Sequence, residues 1–166
     1  MKGNRKLEQN KKEASIAILP RSLLTGFIGG ILWSAIGTFM YYFNFSEIAP
    51  RFFVLRSWTK AEWADSWLGD VISILLIGAI SILTALIYYG LFRKINNMWA
   101  GVAYGVILWA IVFYLLQPIF TNIPTVADLK SSTIISTLSL YVIYGTFIGY
   151  SISYDYEDSR LNNNGS

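Results

Sequence analysis

The stretch that decides the fold runs from residue 71 to residue 92 and reads VISILLIGAISILTALIYYGLF, without one charged side chain. An α-helix rises about 1.5 Å per residue, so about 20 apolar residues cross the roughly 30 Å hydrocarbon core of a bilayer. Similar uncharged runs lie at 22–46, 95–127 and 131–154. Because lipid offers no hydrogen-bond partners to the backbone, runs of this length predict membrane-spanning α-helices.

Composition and run lengths together predict an all-α, polytopic membrane protein. Hydrophobic residues make up 54% of the chain and charged residues 14%, which is too little charge for the surface of a soluble domain. We expect four transmembrane helices arranged as two antiparallel hairpins in one bundle. The predicted spans cover about 22–43, 71–92, 98–117 and 132–153.

The predicted transmembrane domain covers residues 22–154, with one external segment inside it and one further segment at each end. Residues 1–21 form a basic N-terminal segment that we expect to be loosely ordered up to Pro20. Residues 44–69 form an external segment rich in aromatic side chains. Residues 155–166 form a tail that we expect to be disordered at its end, because it closes on small and polar residues.

The distribution of Lys and Arg predicts the orientation in the membrane. Nine of these residues lie in the N-terminal segment, the tail and the turn at Arg93 and Lys94, against four in the external segments. Because Lys and Arg favour the cytoplasmic side, we expect both termini and this turn to be cytoplasmic. The first run is too long for a signal peptide and lacks its cleavage site, so we expect it to be retained.

The external segment contains a pattern typical of a helix start. Thr59 and Glu62 have the spacing of a capping box, which predicts a helix over 59–68 with Trp63 and Trp67 on one face. Two placements stay open: the helix lies flat in the headgroup layer, or it extends the second span. Tryptophan favours the membrane interface, and the predicted interfacial anchors are Trp58, Trp63, Trp67 and Trp99.

Small residues recur at four-residue spacing in three of the predicted spans. Such stripes let helix backbones approach closely, since lipid supplies no hydrophobic force that drives helices together. We favour packing inside the bundle over a dimer interface, while a homodimer or a membrane-protein partner stays open for part of the stripes. The residues predicted to pack in this way are Gly26, Gly30, Ser34, Gly101, Gly105, Gly145 and Gly149.

The two halves of the chain show a weak internal similarity. Shifted by 75 residues, Gly26 and Gly30 fall on Gly101 and Gly105, and a shift of 55 residues relates the second span to the fourth. A parallel duplication about an axis along the membrane normal would leave such a pattern. Chance explains it equally well, because membrane helices draw on few residue types.

Two tryptophans lie near the middle of their predicted spans. The indole N–H groups of Trp33 and Trp109 need acceptors there, and Ser or Thr hydroxyls on neighbouring helices would serve. We favour core packing over ligand binding for both. Asn96 or Asn97 is expected to cap the third span, which ends near 117–118 because proline cannot continue a helix.

The chain lacks the side chains on which much of protein chemistry depends. It contains no His and no Cys, which argues against thiol chemistry, structural zinc and haem. The acids Asp155, Glu157 and Asp158 follow no calcium-loop pattern, and the basic residues flank membrane segments. We therefore predict no catalytic, cofactor-binding or metal-binding residue, and no nucleic-acid partner; the expected partner is the lipid bilayer.

Three stretches of the chain resemble the YqhR family of bacterial membrane proteins. They read ALIYYGLFRK from residue 85, WAGVAYG from residue 99 and YGTFIGYSIS from residue 144. The resemblance covers about residues 20–156 and implies a four-helix protein of the bacterial plasma membrane. It carries over no catalytic residue, binding residue or cofactor.

Three classes of function compete. We favour a non-enzymatic membrane protein that acts through helix packing and through partner or self association. The alternative is a subunit of a small transporter or channel for a neutral solute, which the possible duplication supports. Against it, no ionisable side chain other than tyrosine lies within a predicted span, although ion-coupled carriers usually keep such groups. A membrane-embedded enzyme is least favoured, because its candidate acids lie at the interfaces: Glu47, Asp65, Asp70, Asp128 and Asp155.

Overall fold

The protein is all-helical across the part of the chain that the structure describes. The computed structural model covers residues 2–92, 95, 97–120 and 122–164, and side chains within 19–158 of that range. Its long helices are α1 (Lys2–Tyr42), α2 (Trp67–Leu91), α3 (Met98–Ala110) and α4 (Ser131–Asn164). The all-α prediction is therefore confirmed.

Within the described residues, four helical stretches are long and apolar enough to cross a membrane. They are Leu19–Tyr42, Trp67–Leu91, Met98–Leu115 and Ser131–Asp158. The third stretch is longer than α3 because a π-helical turn at Ile111–Leu115 continues its path. This path ends close to the predicted boundary at Pro118, which lies in the short 3₁₀ turn Gln117–Ile119.

The first and last helices extend beyond their predicted limits. Helix α1 begins at Lys2 and contains Pro20. The prediction that residues 1–21 are loosely ordered was therefore wrong for the described residues. Lys, Glu, Gln and Ala are frequent before Pro20, and these residues favour helix strongly enough to offset one missing hydrogen bond. Helix α4 likewise continues to Asn164, because propagating a helix adds one bond per residue. The prediction of a disordered tail end was therefore also wrong as far as Asn164.

The helix predicted over 59–68 is absent from the external segment. Thr59 Oγ1 accepts a hydrogen bond from the Ala61 backbone N–H at 3.3 Å, one residue short of the capping-box partner. A 3₁₀ turn follows at Glu62–Asp65 and a true helix begins only at Trp67, after an extended Ser66. The turn folds back because the backbone of its buried Ala64 packs on Gly69 of α2. Trp63 and Trp67 therefore do not share one helix.

Helix α3 begins with the expected cap. The side chain of Asn97 accepts a hydrogen bond from the Trp99 backbone N–H at 3.1 Å. This bond satisfies one of the donors that a helix leaves unpaired at its start. The alternative cap Asn96 lies outside the described residues, as do Arg93 and Lys94 of the turn used for the orientation.

Neighbouring helices pack antiparallel. Gly26 of α1 lies against Ala85 of α2, while Tyr42 near the other end of α1 bonds Asp70 near the start of α2. Helices α3 and α4 pair in the same way, and α1 also packs along α4. We call the end with residues 43–66 and 116–130 the loop end. The opposite end, where α2 ends and α3 begins, is the turn end.

The fourth side of the bundle is different. Helices α2 and α3 do not pack closely along their length. They meet near the turn end through Tyr104, whose hydroxyl donates to the Thr84 carbonyl at 2.6 Å and whose ring contacts Tyr88 and Phe92. The bundle is therefore closed at the turn end and open between α2 and α3 towards the loop end.

Candidate functional site

Glycines of α1 lie directly against α2. A Cβ atom added to Gly26 would stand 2.6 Å from the Ala85 Cβ, and one added to Gly30 would stand 2.8 Å from the Gly78 Cα. Ser34 is buried, and its hydroxyl donates to the Gly30 carbonyl at 2.6 Å. The first small-residue stripe thus sets the close approach of α1 and α2.

The other two stripes face each other between α3 and α4. A Cβ atom on Gly145 would lie 2.5 Å from both the Gly101 carbonyl oxygen and the Gly105 Cα. A Cβ atom on Gly149 would lie 2.8 Å from the Gly101 Cα and 2.9 Å from the Tyr88 hydroxyl. The glycines predicted to pack therefore lie at contacts inside the bundle, where α1 meets α2 and where α3 meets α4.

A cavity of about 380 Å³ occupies the open side between α2 and α3. That volume falls within the range of about 300–1,000 Å³ seen for small-molecule sites. Its walls are almost entirely apolar, with Ile77 and Ile80 from α2 facing Leu108 and Val112 from the α3 path. Helices α1 and α4 form the back of the cavity. An apolar molecule can therefore reach it from the side, between two membrane-spanning helices.

The external segment covers the loop end of the cavity. Pro50, Phe53 and Trp58 line it there, together with Phe120 from the second connection. Phe53 is fixed by edge-to-face contacts with Phe113 at 5.8 Å and with Phe120 at 5.2 Å between ring centroids. The aromatic residues of this segment thus form part of the cavity wall as well as part of the surface at the loop end.

The inner end of the cavity carries a cluster of hydroxyl groups. The Tyr144 hydroxyl bonds the hydroxyls of Ser81 and of Thr84, the latter at 2.5 Å. The buried core around Tyr88, Ile148 and Ile152 lies beyond this cluster towards the turn end. The cavity is therefore closed at its inner end by hydroxyl groups that satisfy one another and by packed side chains behind them.

The two mid-span tryptophans differ in their hydrogen bonding. Trp109 Nε1 donates to Thr137 Oγ1 at 3.1 Å, which confirms the predicted hydroxyl partner. Among the described residues, the buried Nε1 of Trp33 finds no acceptor, and Trp33 lines the cavity. An unmet buried donor costs about 1–3 kcal/mol. The expectation of a Ser or Thr partner was thus wrong for Trp33, because the neighbouring space is cavity instead of helix.

A buried ion pair, which no local sequence pattern predicts, joins the external segment to α2. Arg51 Nη1 donates to both oxygens of Asp70 at 2.9 Å, and the Tyr42 hydroxyl donates to Asp70 at 2.5 Å. Both charged side chains are 8% exposed. Asp70, one of the acids predicted at the interfaces, is buried in the first turn of α2, and the rings of Tyr41 and Phe52 pack against its partner Arg51.

The electrostatics of this pair favour its charged form. Burial lowers the pKa of Arg51, but hydrogen bonds to Tyr42 and the charge of Asp70 outweigh it, so the pKa is raised overall. A buried pair costs desolvation that its attraction offsets only with good geometry. Here the pair fixes where the external segment leaves α1 and returns to α2.

Two exposed contacts tie the external segment to the second connection. Lys130 Nζ lies 2.6 Å from Glu47 Oε1, and this hydrogen-bonded ammonium lowers the pKa of Glu47. Asn122 Nδ2 donates to the Arg56 carbonyl at 2.5 Å. These contacts hold the two loop-end segments together above the cavity.

A second, polar pocket of about 420 Å³ lies at the loop end. Its basic side chains are Arg56 and Lys60, and Trp58 lines both this pocket and the apolar cavity. Arg56 Nε pairs with Asp65 at 3.1 Å. The remaining lining residues are Ser57, Thr59 and Asn122.

The predicted interfacial anchors lie on the surface near the ends of the spans. Their exposed fractions range from 43% for Trp63 to 75% for Trp99. Trp67 opens α2, and Trp99 lies in the first turn of α3. Of these anchors, Trp58 alone also lines the cavity.

The remaining acids do not gather into a site. Asp65 pairs with Arg56, and Asp128 accepts a hydrogen bond from Thr125 at 2.5 Å. Among the described side chains, no group of three or more His, Cys, Asp or Glu residues is placed to hold a metal ion. The described acids therefore mark no metal site.

Comparison with known proteins agrees with this architecture. Residues 2–166 match the family described as "Conserved membrane protein YqhR". The "Uncharacterized protein YqhR" of Bacillus subtilis (strain 168) is 42% identical over 163 residues, which cover 95% of this chain and 91% of that protein. No solved structure matches the chain. With four helices apolar enough to span a membrane and this match over nearly its whole length, the chain belongs to the YqhR family of conserved membrane proteins.

Proposed function

We propose that the protein is a non-enzymatic component of the bacterial plasma membrane that works by binding other membrane molecules. The observation that carries this proposal is the apolar cavity between α2 and α3, because it opens where lipid would surround the bundle. A packed bundle without a binding role would gain stability by closing this side. The cavity is therefore a place for a molecule that arrives through the bilayer.

Binding fits the cavity better than catalysis does. The residues that line it include no Asp, Glu, Lys or Arg, and the chain has no His or Cys. Its polar groups are hydroxyls and an indole N–H, which hold or orient a ligand but do not take up a proton near neutral pH. The buried charges, Arg51 and Asp70, are bonded to each other outside the cavity.

We place both termini and the turn end in the cytoplasm and the loop end outside. The support is the nine-to-four division of Lys and Arg between the two sides. In this orientation the cavity lies in the outer half of the membrane, and its roof of aromatic side chains lies at the outer interface.

A subunit of a transporter or channel for a neutral solute is the second candidate. The unpaired Nε1 of Trp33, at the middle of the bundle, is the observation that favours it. A through path would have to pass the packed core of Tyr88, Tyr104 and Ile152. Because these side chains are buried and in contact, the described arrangement favours binding of a molecule in the cavity over its passage through the bundle.

The proposal is tested by comparing cavity variants with acid variants in a strain where loss of the protein has a measurable phenotype. Ile80 and Ile87 lie two turns apart on α2 and are each 50% exposed, but only Ile80 lines the cavity. Ile80→Trp should abolish complementation at unchanged membrane abundance, and Ile87→Trp should not. Loss of complementation with Glu47→Gln or Asp128→Asn, with Ile80→Trp fully active, would contradict the proposal and point to a carboxylate.

A further inference from the structure

The apolar cavity and the polar loop-end pocket adjoin through Trp58. We propose that together they form one site for an anionic phospholipid, with an acyl chain in the cavity and the phosphate headgroup in the pocket. This inference rests on the proposed binding function and names its ligand class. An amphiphile is the molecule that fits an apolar space and a basic, polar space that lie on either side of one shared side chain.

The dimensions of the cavity suit an acyl chain of one leaflet. Its lining on the α3 path runs from Leu108 to Leu116, which at about 1.5 Å per residue corresponds to a depth of about 12 Å. One leaflet supplies about half of the roughly 30 Å hydrocarbon core. The side opening between α2 and α3 lets a chain enter from the bilayer without crossing a polar layer.

The polar pocket has the charge that a phosphate group requires. Arg56 pairs with Asp65 through its Nε. The terminal nitrogens of a guanidinium carry further N–H groups, which can donate hydrogen bonds to two oxygens of a phosphate. Lys60 adds a second positive charge, and no acidic side chain lines the pocket. Among the described residues no acid lies within ion-pair distance of Lys60. The pocket is therefore net positive and favours an anionic headgroup.

The position of Arg56 is set by the fold. It ends the π-helical turn Phe52–Arg56, and Asn122 from the second connection donates to its carbonyl at 2.5 Å. The start of the same turn is held by Arg51 on Asp70. Since both ends of the turn are fixed, the pocket keeps its place above the cavity, so a chain and its headgroup meet the two spaces at the same time.

The chemistry separates this ligand from two others. Free phosphate would use Arg56 and Lys60 but would leave the cavity empty. A second copy of the chain would use the cavity opening but not the phosphate-binding donors. A phospholipid uses both, so blocking either space must weaken it.

The test measures lipid binding to the full chain, purified in detergent and freed of lipid. Native mass spectrometry counts bound phosphatidylglycerol, with phosphatidylcholine and inorganic phosphate as comparison probes. We expect phosphatidylglycerol to bind one to one and more tightly than phosphatidylcholine. Lys60→Gln should weaken phosphatidylglycerol roughly two- to fivefold, as expected for one exposed ionic contact, and should weaken phosphatidylcholine less, because its choline ammonium offsets the phosphate charge. Ile80→Trp should remove both lipids, and Ile87→Trp should remove neither.

Several outcomes would overturn the inference. Equal binding of both lipids, with Ile80→Trp still blocking, would refute the headgroup site while leaving the proposed cavity function standing. Binding of inorganic phosphate as tight as that of the lipid would assign the pocket to a free anion. A dimer that Ile80→Trp dissociates, with no lipid bound, would assign the opening to a second copy. If neither lipid binds and Ile80→Trp still complements the strain, both proposals fail.

Discussion

The glycine contact between α3 and α4 supports a quantitative prediction. Gly145→Ala places a Cβ where the Gly101 carbonyl oxygen, the Gly105 backbone nitrogen and the Gly105 Cα are each 2.5 Å away. All three are backbone atoms, so no side chain can rotate out of the way. Gly90→Ala is the matched control, because nothing lies within 4 Å of its added Cβ on α2.

The size of the effect follows from two opposing contributions. Alanine gains up to about 1 kcal/mol over glycine inside a helix, and both variants gain it. Overpacking a close contact costs about 1–3 kcal/mol, and only Gly145→Ala incurs that cost. The helix preference cancels in the comparison, so the free energy of unfolding should differ between the variants by about 1–3 kcal/mol.

Thermal unfolding of both variants in the same detergent, followed by circular dichroism, measures this difference. A domain of this size shifts its Tm by about 2–4 °C per kcal/mol, so Gly145→Ala should melt roughly 2–12 °C below Gly90→Ala. Equal melting temperatures would show that α3 and α4 are not in contact at Gly145. The close packing derived from the stripes would then be refuted.

Three further predictions follow from the charged and interfacial residues. Single cysteines introduced at Lys12, Trp63 and Asn163 should be tested with an impermeant reagent on intact cells, and only the one at Trp63 should react. Labelling at Lys12 or Asn163 would contradict the proposed orientation. Asp70→Ala should cost about 3–5 kcal/mol of unfolding free energy because it leaves Arg51 buried without its partner, and R51L together with D70L should recover most of it; a cost below 1 kcal/mol in detergent melts would contradict the buried pair. Lys130→Gln should raise the pKa of Glu47, measured by NMR titration, and an unchanged value would exclude the contact. Since Lys130 lowers the pKa of Glu47, the stabilising effect is present at neutral pH and is lost as the pH falls through that lowered pKa.

Local features of the sequence determined the class of the protein and the number of its membrane-spanning helices. The length of an uncharged run is a property of consecutive residues, and a bilayer accepts such a run only as a helix. The small-residue stripes and the Asn97 cap are local in the same sense, since they depend on spacing along one helix. The limits of α1 were misjudged because helix-favouring residues before Pro20 outweigh the bond that proline removes, and the Thr59 capping box was misjudged because tertiary packing overrides the local pattern. The helix continues through Pro20, while Ala64 packing on Gly69 folds the external segment back.

Tertiary structure alone decided the cavity, the buried pair and the two tryptophan environments. Arg51 meets Asp70, and Trp109 meets Thr137, across separations in sequence that no local pattern encodes. Trp33 and Trp109 look alike in sequence, yet one faces a hydroxyl and the other faces open space. Which side of a four-helix bundle stays open depends on the tilt and rotation of every helix at once. Those angles are set by the contacts between helices and not by the composition of any one of them.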